Sequence, residues 1–396
     1  MPRLFGRDMT RREFERRVGA TRQVAGIDLV THADGAEQGV RTLIFRTGGG
    51  LEFSVLVDRS MDIGRFDLRG TPFAWQSATG FRSPAFLSPD AEGGTGFMRG
   101  FSGLFCTCGF DHVRQPDRGP ADHFDLPLRR EISYPMHGRG AFQPARLEGY
   151  GETWDGDTCT LWCEGTVVQA AVMSEHLVLR RRIEARVGGT EIRILDRIEN
   201  RGFSRTPHML LYHINAGWPL LDEGARFVAP IRRTRAANMP REAQQTGYRT
   251  QAGPQSRFFQ QVFDHEVVAD PAGRVPTALV NDRLGIGFAV DFDGARFPCL
   301  QQWQALGDGV YGFGIEPVTT RWGDRATAER GGEIVWLEHG ESRVYDTRLA
   351  ALDGAAAIAA FDARVAALHP QQTDEFPHRA DQPPGGPFIP TLPRTK

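Results

Sequence analysis

Between about residue 40 and residue 350 apolar residues tend to recur at every second position, the period of a strand with one buried face. The run 40–47 (VRTLIFRT) alternates, and 51–57 (LEFSVLV) follows after three glycines at 48–50, which predicts a hairpin. Further short runs at 159–170, 177–187, 190–199, 208–214, 226–229, 285–292, 310–315, 333–337 and 343–350 read as strands, and pairs such as Gly188-Gly189 and Asp293-Gly294 mark turns. Two segments read as helices. Residues 10–22 (TRREFERRVGATR) open with Thr10 and Glu13 at capping-box spacing, and 355–368 (AAAIAAFDARVAAL) is an alanine-rich late helix. No helix-length amphipathic segments alternate with the strands, which disfavours a parallel α/β sheet. The pattern predicts an all-β fold, a large antiparallel β-sandwich with one or two peripheral helices. It divides the chain into an N-terminal helix or arm (1–24), a single β-sandwich domain (25–368) and a Pro/Gly-rich tail (369–396).

Composition narrows the classes of partner. A formal net charge of −2 carries no basic excess, so nucleic acid and anionic membranes are disfavoured. No apolar run approaches the roughly 18–20 residues of a membrane span, and the charged N-terminus lacks a signal-peptide apolar region. The default expectation is a cytoplasmic protein, with self-association into a homodimer left open. Five cysteines, an odd number in a long chain, argue against a disulfide scaffold. Cys106 and Cys108 fall on one side of a strand and read as buried thiols. There is no phosphate loop, dinucleotide glycine fingerprint or Gly-x-Ser-x-Gly elbow, which weighs against nucleotide cofactors and serine hydrolysis.

The candidate chemistry lies where polar residues interrupt apolar runs. His213 sits within LLYHINAGWPLL (210–221), with Asn215 on the same strand face and His208 on the opposite one. A buried imidazole costs desolvation, so it is either a hydrogen-bonded core residue or a working group. Glu316 ends the alternation of 310–315, where an apolar setting raises a carboxyl's pKa toward neutrality; Pro317 predicts that the strand stops or bulges there. His137 precedes Gly138-Arg139-Gly140, a loop free to approach a ligand. Arg59 and Asp62, charged residues among apolar ones, are candidates for binding hydroxyls or for an internal ion pair. Gln302 and Trp303 offer an amide beside an indole, a combination suited to a polyol with an apolar face, and Trp75 and Trp218 offer further indoles. Together these residues predict a small-molecule carbohydrate as ligand and acid–base chemistry without a cofactor. A second reading has His137, His208 or His213, and Glu316 holding a divalent metal that polarises the carbonyl of a keto-sugar. A third is a carbohydrate-binding protein without catalysis.

Five segments in sequence order give the chain a resemblance to a known family. They are VDRSMDIG (57–64), FCTCGFDHV (105–113), YPMHGRGAFQPA (134–145), TPHMLLYHINAGWPLL (206–221) and LQQWQ with YGFGIEPVT (300–319). The chain resembles the aldose 1-epimerase (galactose mutarotase-like) superfamily over about residues 25–350, most closely its less characterised branch, whose members carry a domain of unknown function. The resemblance implies the galactose mutarotase-like supersandwich and isomerisation at or near the anomeric carbon of a sugar. It casts His213 as the acid that protonates the ring oxygen and Glu316 as the base that takes the anomeric hydroxyl proton. His137 becomes the second substrate-binding histidine and Arg59 a hydroxyl-binding arginine. The family's asparagine-arginine arrangement ahead of the first histidine is missing here, and Asp62 is the candidate replacement for its substrate-binding aspartate.

Overall fold

Strict alternation fixes which face of each strand is buried. In Glu191–Asn200 the residues Ile192, Ile194 and Ile198 point inward between charged neighbours, and Thr158–Ala170 and His176–Arg186 follow the same rule. The computed structural model describes residues 1–125, 130–239 and 244–368; the tail expected at 369–396 lies outside them.

Two large sheets face each other. The first runs in the order Arg146–Asp155, Thr158–Ala170, His176–Arg186, Glu191–Asn200, Ser342–Asp353, Ile286–Asp293, Arg274–Asn281, Arg226–Val228. The second runs Ile231–Ala236, Gln261–Val267, Cys299–Gly307, Val310–Val318, Thr206–Gly217, Phe105–Phe110, Asp62–Leu68, Leu51–Leu56, Arg41–Arg46, Gly26–Thr31. Neighbouring strands within both sheets pair antiparallel, as the alternation predicts. The main core, with Phe45, Phe53, Phe66, Leu179, Ile194, Tyr212 and Tyr345 among its members, lies between the sheets. Each fully buried large apolar side chain contributes about 1.5–3 kcal/mol.

The helices differ in how far they follow expectation. Ala355–Ala366 lays Ile358, Phe361 and Val365 on Ala278, Val280 and Ala289 of the first sheet. At the N-terminus the Thr10–Glu13 capping box forms as read, but the helix covers only Arg11–Glu15, with a separate 3-10 turn at Thr21–Gln23. Only Phe14 of the short helix is buried, too little apolar surface to hold a longer helix against the sandwich. Among the described residues no helix is long and apolar enough to cross a membrane.

Thr206–Gly217 is the strand that positions the site. All twelve residues are buried, because both faces are covered. One face looks into the inter-sheet core. There His208 Nδ1 donates to Phe110 O (2.7 Å), His208 Nε2 meets Tyr345 Oη (2.7 Å), and Tyr212 Oη donates to Asp196 Oδ2 (2.5 Å). Asp196 also holds Arg181 through two bonds of 2.8 and 2.6 Å, and Arg181 Nη1 reaches Asp62 Oδ1 at 3.0 Å. Asp62 accepts from Thr107 N and Thr107 Oγ1 as well. This fully buried network ties the two sheets together. It also corrects the reading of Asp62 as a sugar ligand, since its carboxylate is spent on Arg181 and Thr107 inside the sandwich.

Candidate active site

The opposite face of Thr206–Gly217 carries His213 and Asn215. The adjacent strand Val310–Val318 brings Glu316 alongside, with Leu211 opposite Val318 and Ile214 opposite Ile315. That strand continues through Pro317 rather than stopping. The recorded pairing skips the His213/Glu316 and Tyr212/Pro317 levels, where proline has no N–H to give. His213 Nε2 and Glu316 Oε1 are 3.2 Å apart, with both side chains about 95% buried. The strand's alternate glycines serve this contact. A Cβ on Gly314 would stand 2.8 Å from Glu316 Oε1 and 3.2 Å from His213 Cε1.

Aromatic rings enclose the pair. The His213 imidazole lies 4.6 Å from Phe101, 5.3 Å from Trp303 and 5.7 Å from His137, centroid to centroid. Trp75 packs edge-on against Trp303 at 5.6 Å. His137 enters from its loop with φ +57°, its backbone bonded to Arg114 O and Gly109 N. The glycine after it is required, because a Cβ on Gly138 would come within 2.5 Å of His112 O. Unlike His213, His137 keeps part of its surface exposed.

Hydrogen bonds fix where protons sit. Asn215 Nδ2 donates to Gly103 O and His213 O, which leaves its Oδ1 to face His213 Nδ1 at 2.5 Å. Nδ1 therefore carries a proton. Arg114 N donates to His137 Nδ1 (3.4 Å), so a neutral His137 carries its proton on Nε2. Burial in this apolar cage pushes the Glu316 carboxyl up to about 8, opposed only by the Arg114 guanidinium, and pushes the His213 imidazole down to about 3, opposed by its bond to Asn215. At neutral pH the pair thus holds one proton in the gap between Nε2 and Oε1, with both groups formally neutral. Without that proton two lone pairs would face each other, and among the described residues Glu316 Oε1 has no other partner.

Four buried imidazoles, those of His112, His208, His213 and His265, are held at about 3 to 4, chiefly by desolvation. The unfolded chain binds their protons near 6.5, so the stability they carry is complete above that pH and is lost as pH falls toward 3. The expected loss is roughly 1–2 kcal/mol per histidine at pH 5. Glu316 acts in the opposite direction between about 4.5 and 8, as do the carboxyls of Asp62, Asp67 and Asp111, raised by burial, while His123 and His137, also lowered by burial, add to the histidines. Urea unfolding should therefore show a lower midpoint at pH 5 than at pH 7; an unchanged or higher midpoint would refute the buried neutral imidazoles.

Of the residues singled out in the sequence, His137, Asn215, Trp303, Glu316 and the indole of Trp75 converge on His213. Others do not. His208 faces the opposite side of the sheet, so the metal-binding set that included it is divided by the backbone. Among the described residues no three His, Cys, Asp or Glu side chains gather as a ligand set. Gln302 points away from Trp303 and joins His265 Nε2 and Tyr248 O. Arg59 is 1% exposed and gives its guanidinium to the carbonyls of Gly80 and Gly100, stacked on Phe142, so it braces the Phe101 loop. Trp218 is 66% exposed, outside the cage. Cys106 and Cys108 are buried, as read, and so are Cys159, Cys163 and Cys299, all five as free thiols.

Four contributors were not assigned to the site from the sequence. Phe97 and Phe101 come from GFMRGF (96–101), where two phenylalanines four apart in a glycine-rich stretch were the available signal. Arg114 was hidden in a polar loop, and its guanidinium donates to Thr320 O. Gln301 opposes Glu316 in the register; with its amide oxygen turned inward it accepts from Arg114 Nη2 (3.1 Å) and Trp322 N (3.2 Å).

The architecture is that of known galactose mutarotase-like proteins. A crystal structure from Klebsiella pneumoniae, provisionally assigned as an aldose 1-epimerase, is 23% identical and superposes with a TM-score of 0.80 over 88% of this chain and 89% of its own. A galactose mutarotase-like protein from Clostridium acetobutylicum is 13% identical, with a TM-score of 0.54 over 84% of this chain and 99% of its own. At these identities the likeness is one of fold. No protein of curated function matches the chain. The family described as "Domain of unknown function (DUF4432)" matches residues 37–351.

Proposed function

The chain belongs to the DUF4432 family, and we propose that it is a carbohydrate isomerase or epimerase acting by acid–base catalysis at the anomeric carbon of a sugar. One observation carries this reading. Two proton-transfer atoms, His213 Nε2 and Glu316 Oε1, sit side by side at 3.2 Å in a buried cage. A hemiacetal carbon bears two oxygens, one in the ring and one in the hydroxyl, and interconverting its anomers requires a proton to arrive at one while another leaves the other. With the proton on His213, Nε2–H protonates the ring oxygen and the Glu316 carboxylate takes the hydroxyl proton. The bond from carbon to ring oxygen breaks, and the carbon becomes a carbonyl. The pair then stands as neutral imidazole and carboxylic acid, the arrangement that burial favours. After rotation, the acid returns its proton to the carbonyl oxygen, and His213 recovers its own from the ring hydroxyl as the ring closes on either face.

His137, with a neutral Nε2–H and partial exposure, supplies a hydrogen bond to an oxygen of the sugar. Trp303 and Trp75 offer indole faces to the ring's C–H surface. The test is anomeric exchange across a panel of free aldoses, aldose phosphates and ketoses, followed by NMR at pH 7. At least one sugar should exchange well above its rate in buffer. If the pure protein accelerates none, and none binds by calorimetry, the carbohydrate reading fails; binding without exchange favours a non-catalytic sugar-binding protein.

A further inference from the structure

We infer that Asn215 is a positioning residue that locks His213 in the tautomer protonated on Nδ1, and that this lock gives the His213–Glu316 pair its single transferable proton. The orientation of the amide is not free. Its Nδ2 is committed to two carbonyls, Gly103 O at 3.0 Å and His213 O at 3.2 Å, so only Oδ1 can meet the ring, at 2.5 Å. Two residues apart on one strand, the side chains share a face by the pleat itself. A neutral imidazole has one N–H. If it stood on Nε2, Nδ1 and Asn215 Oδ1 would face each other as two acceptors, and the ring could take no proton from Glu316. With Nδ1–H fixed, Nε2 is a basic lone pair aimed at Glu316. His137 is held in the opposite tautomer by Arg114 N, so the two histidines of the site have different polarity, one able to accept and one able to donate.

The groups that face the His213 ring are Glu316 from the neighbouring strand, His137 from its loop and Cys106, paired directly with His213; Arg114 and Cys108 stand next to Glu316. Asn215 Oδ1 is the acceptor that Nδ1 meets. The consequence for turnover rests on the acid–base reading given above, whereas the tautomer itself does not.

Long-range proton–nitrogen NMR of the ligand-free protein labelled at histidine nitrogens is the test, with the His213 signals identified by their loss in His213→Gln. In the wild type Nδ1 should show a protonated shift and Nε2 a shift that moves in Glu316→Gln. In Asn215→Leu the two nitrogen shifts should converge as the tautomers mix, and kcat for the best sugar of the panel should fall roughly 10–100-fold with KM little changed, the usual scale for loss of an orienting partner. Asn215→Asp keeps an oxygen acceptor, so it should keep the Nδ1–H tautomer and much of the rate, while its negative charge moves both limbs of the pH–rate profile to higher pH. A wild-type ring protonated on Nε2, or His213 shifts unchanged in Asn215→Leu, would overturn the inference. A locked tautomer in a protein that turns over no sugar would instead overturn the proposed reaction and leave the lock standing.

Discussion

Glu316→Gln is expected to reduce catalysed anomeric exchange by about 10²–10⁴-fold while leaving the fold intact, the range typical for removing a general acid or base. The substitution is nearly isosteric with the protonated carboxyl that burial maintains up to about pH 8. The glutamine amide can also donate to His213 Nε2, so the site keeps its shape and loses only the ability to exchange protons. Stability should diverge from activity. Below about pH 4.5 the variant should match the wild type. Between about pH 4.5 and 8 it should become progressively the more stable of the two, because the unfolded wild type releases a proton that the folded one must hold, and above pH 8 the gap should stay constant. Exchange rates at pH 7 and urea midpoints of both proteins at pH 4.5 and pH 7 check both halves. An unaffected rate would remove Glu316 from the mechanism.

Arg181→Met should be the most damaging single change in the core, with an expected loss of about 3–5 kcal/mol, the cost of stripping the partner from buried charges. Arg181 is completely buried and bridges Asp196 of its own sheet to Asp62 of the other. Without it two carboxylates remain inside the sandwich, with only Tyr212 Oη and the Thr107 donors to compensate. Against a total stability of about 5–15 kcal/mol that loss is large. Adding Asp62→Asn and Asp196→Leu should recover part of it, since the desolvated charges leave together. Urea unfolding of the single and triple variants measures the effect. A single-variant loss below about 1 kcal/mol would mean that the network contributes little of what its burial implies.

The same network explains which parts of the site could be read from the sequence. His213 and Glu316 stood out because each breaks an apolar alternation, and the period of two assigned His208 to the other face correctly. Periodicity says which residues share a face; it does not say what lies across from them. Asp62 was read toward the ligand because its partner Arg181 is 119 positions away. Gln302 was chosen over Gln301 because the strand Cys299–Gly307 was not recognised, and without its bounds the alternation had no fixed phase. Most strands of the first sheet were legible because one face is solvated and polar. Phe105–Phe110, buried on both sides, carries no alternation to read. The loop contributors Phe101, His137 and Arg114 depend on tertiary placement; the glycines beside His137 and those around Phe97 and Phe101 were local signals, and Arg114 had none.

The strand Thr206–Gly217 carries two messages interleaved at single-residue spacing. Positions 208 and 212 fasten the sheets together, and positions 213 and 215 hold the chemistry. A strand written in this way cannot change length. Inserting or deleting one residue ahead of His213 would turn the imidazole into the core and the Tyr212 phenol out toward the cage, so activity and cohesion would be lost together. Relatives that diverge in substrate are therefore free to lengthen or shorten the connections around this strand, but within it they can only substitute.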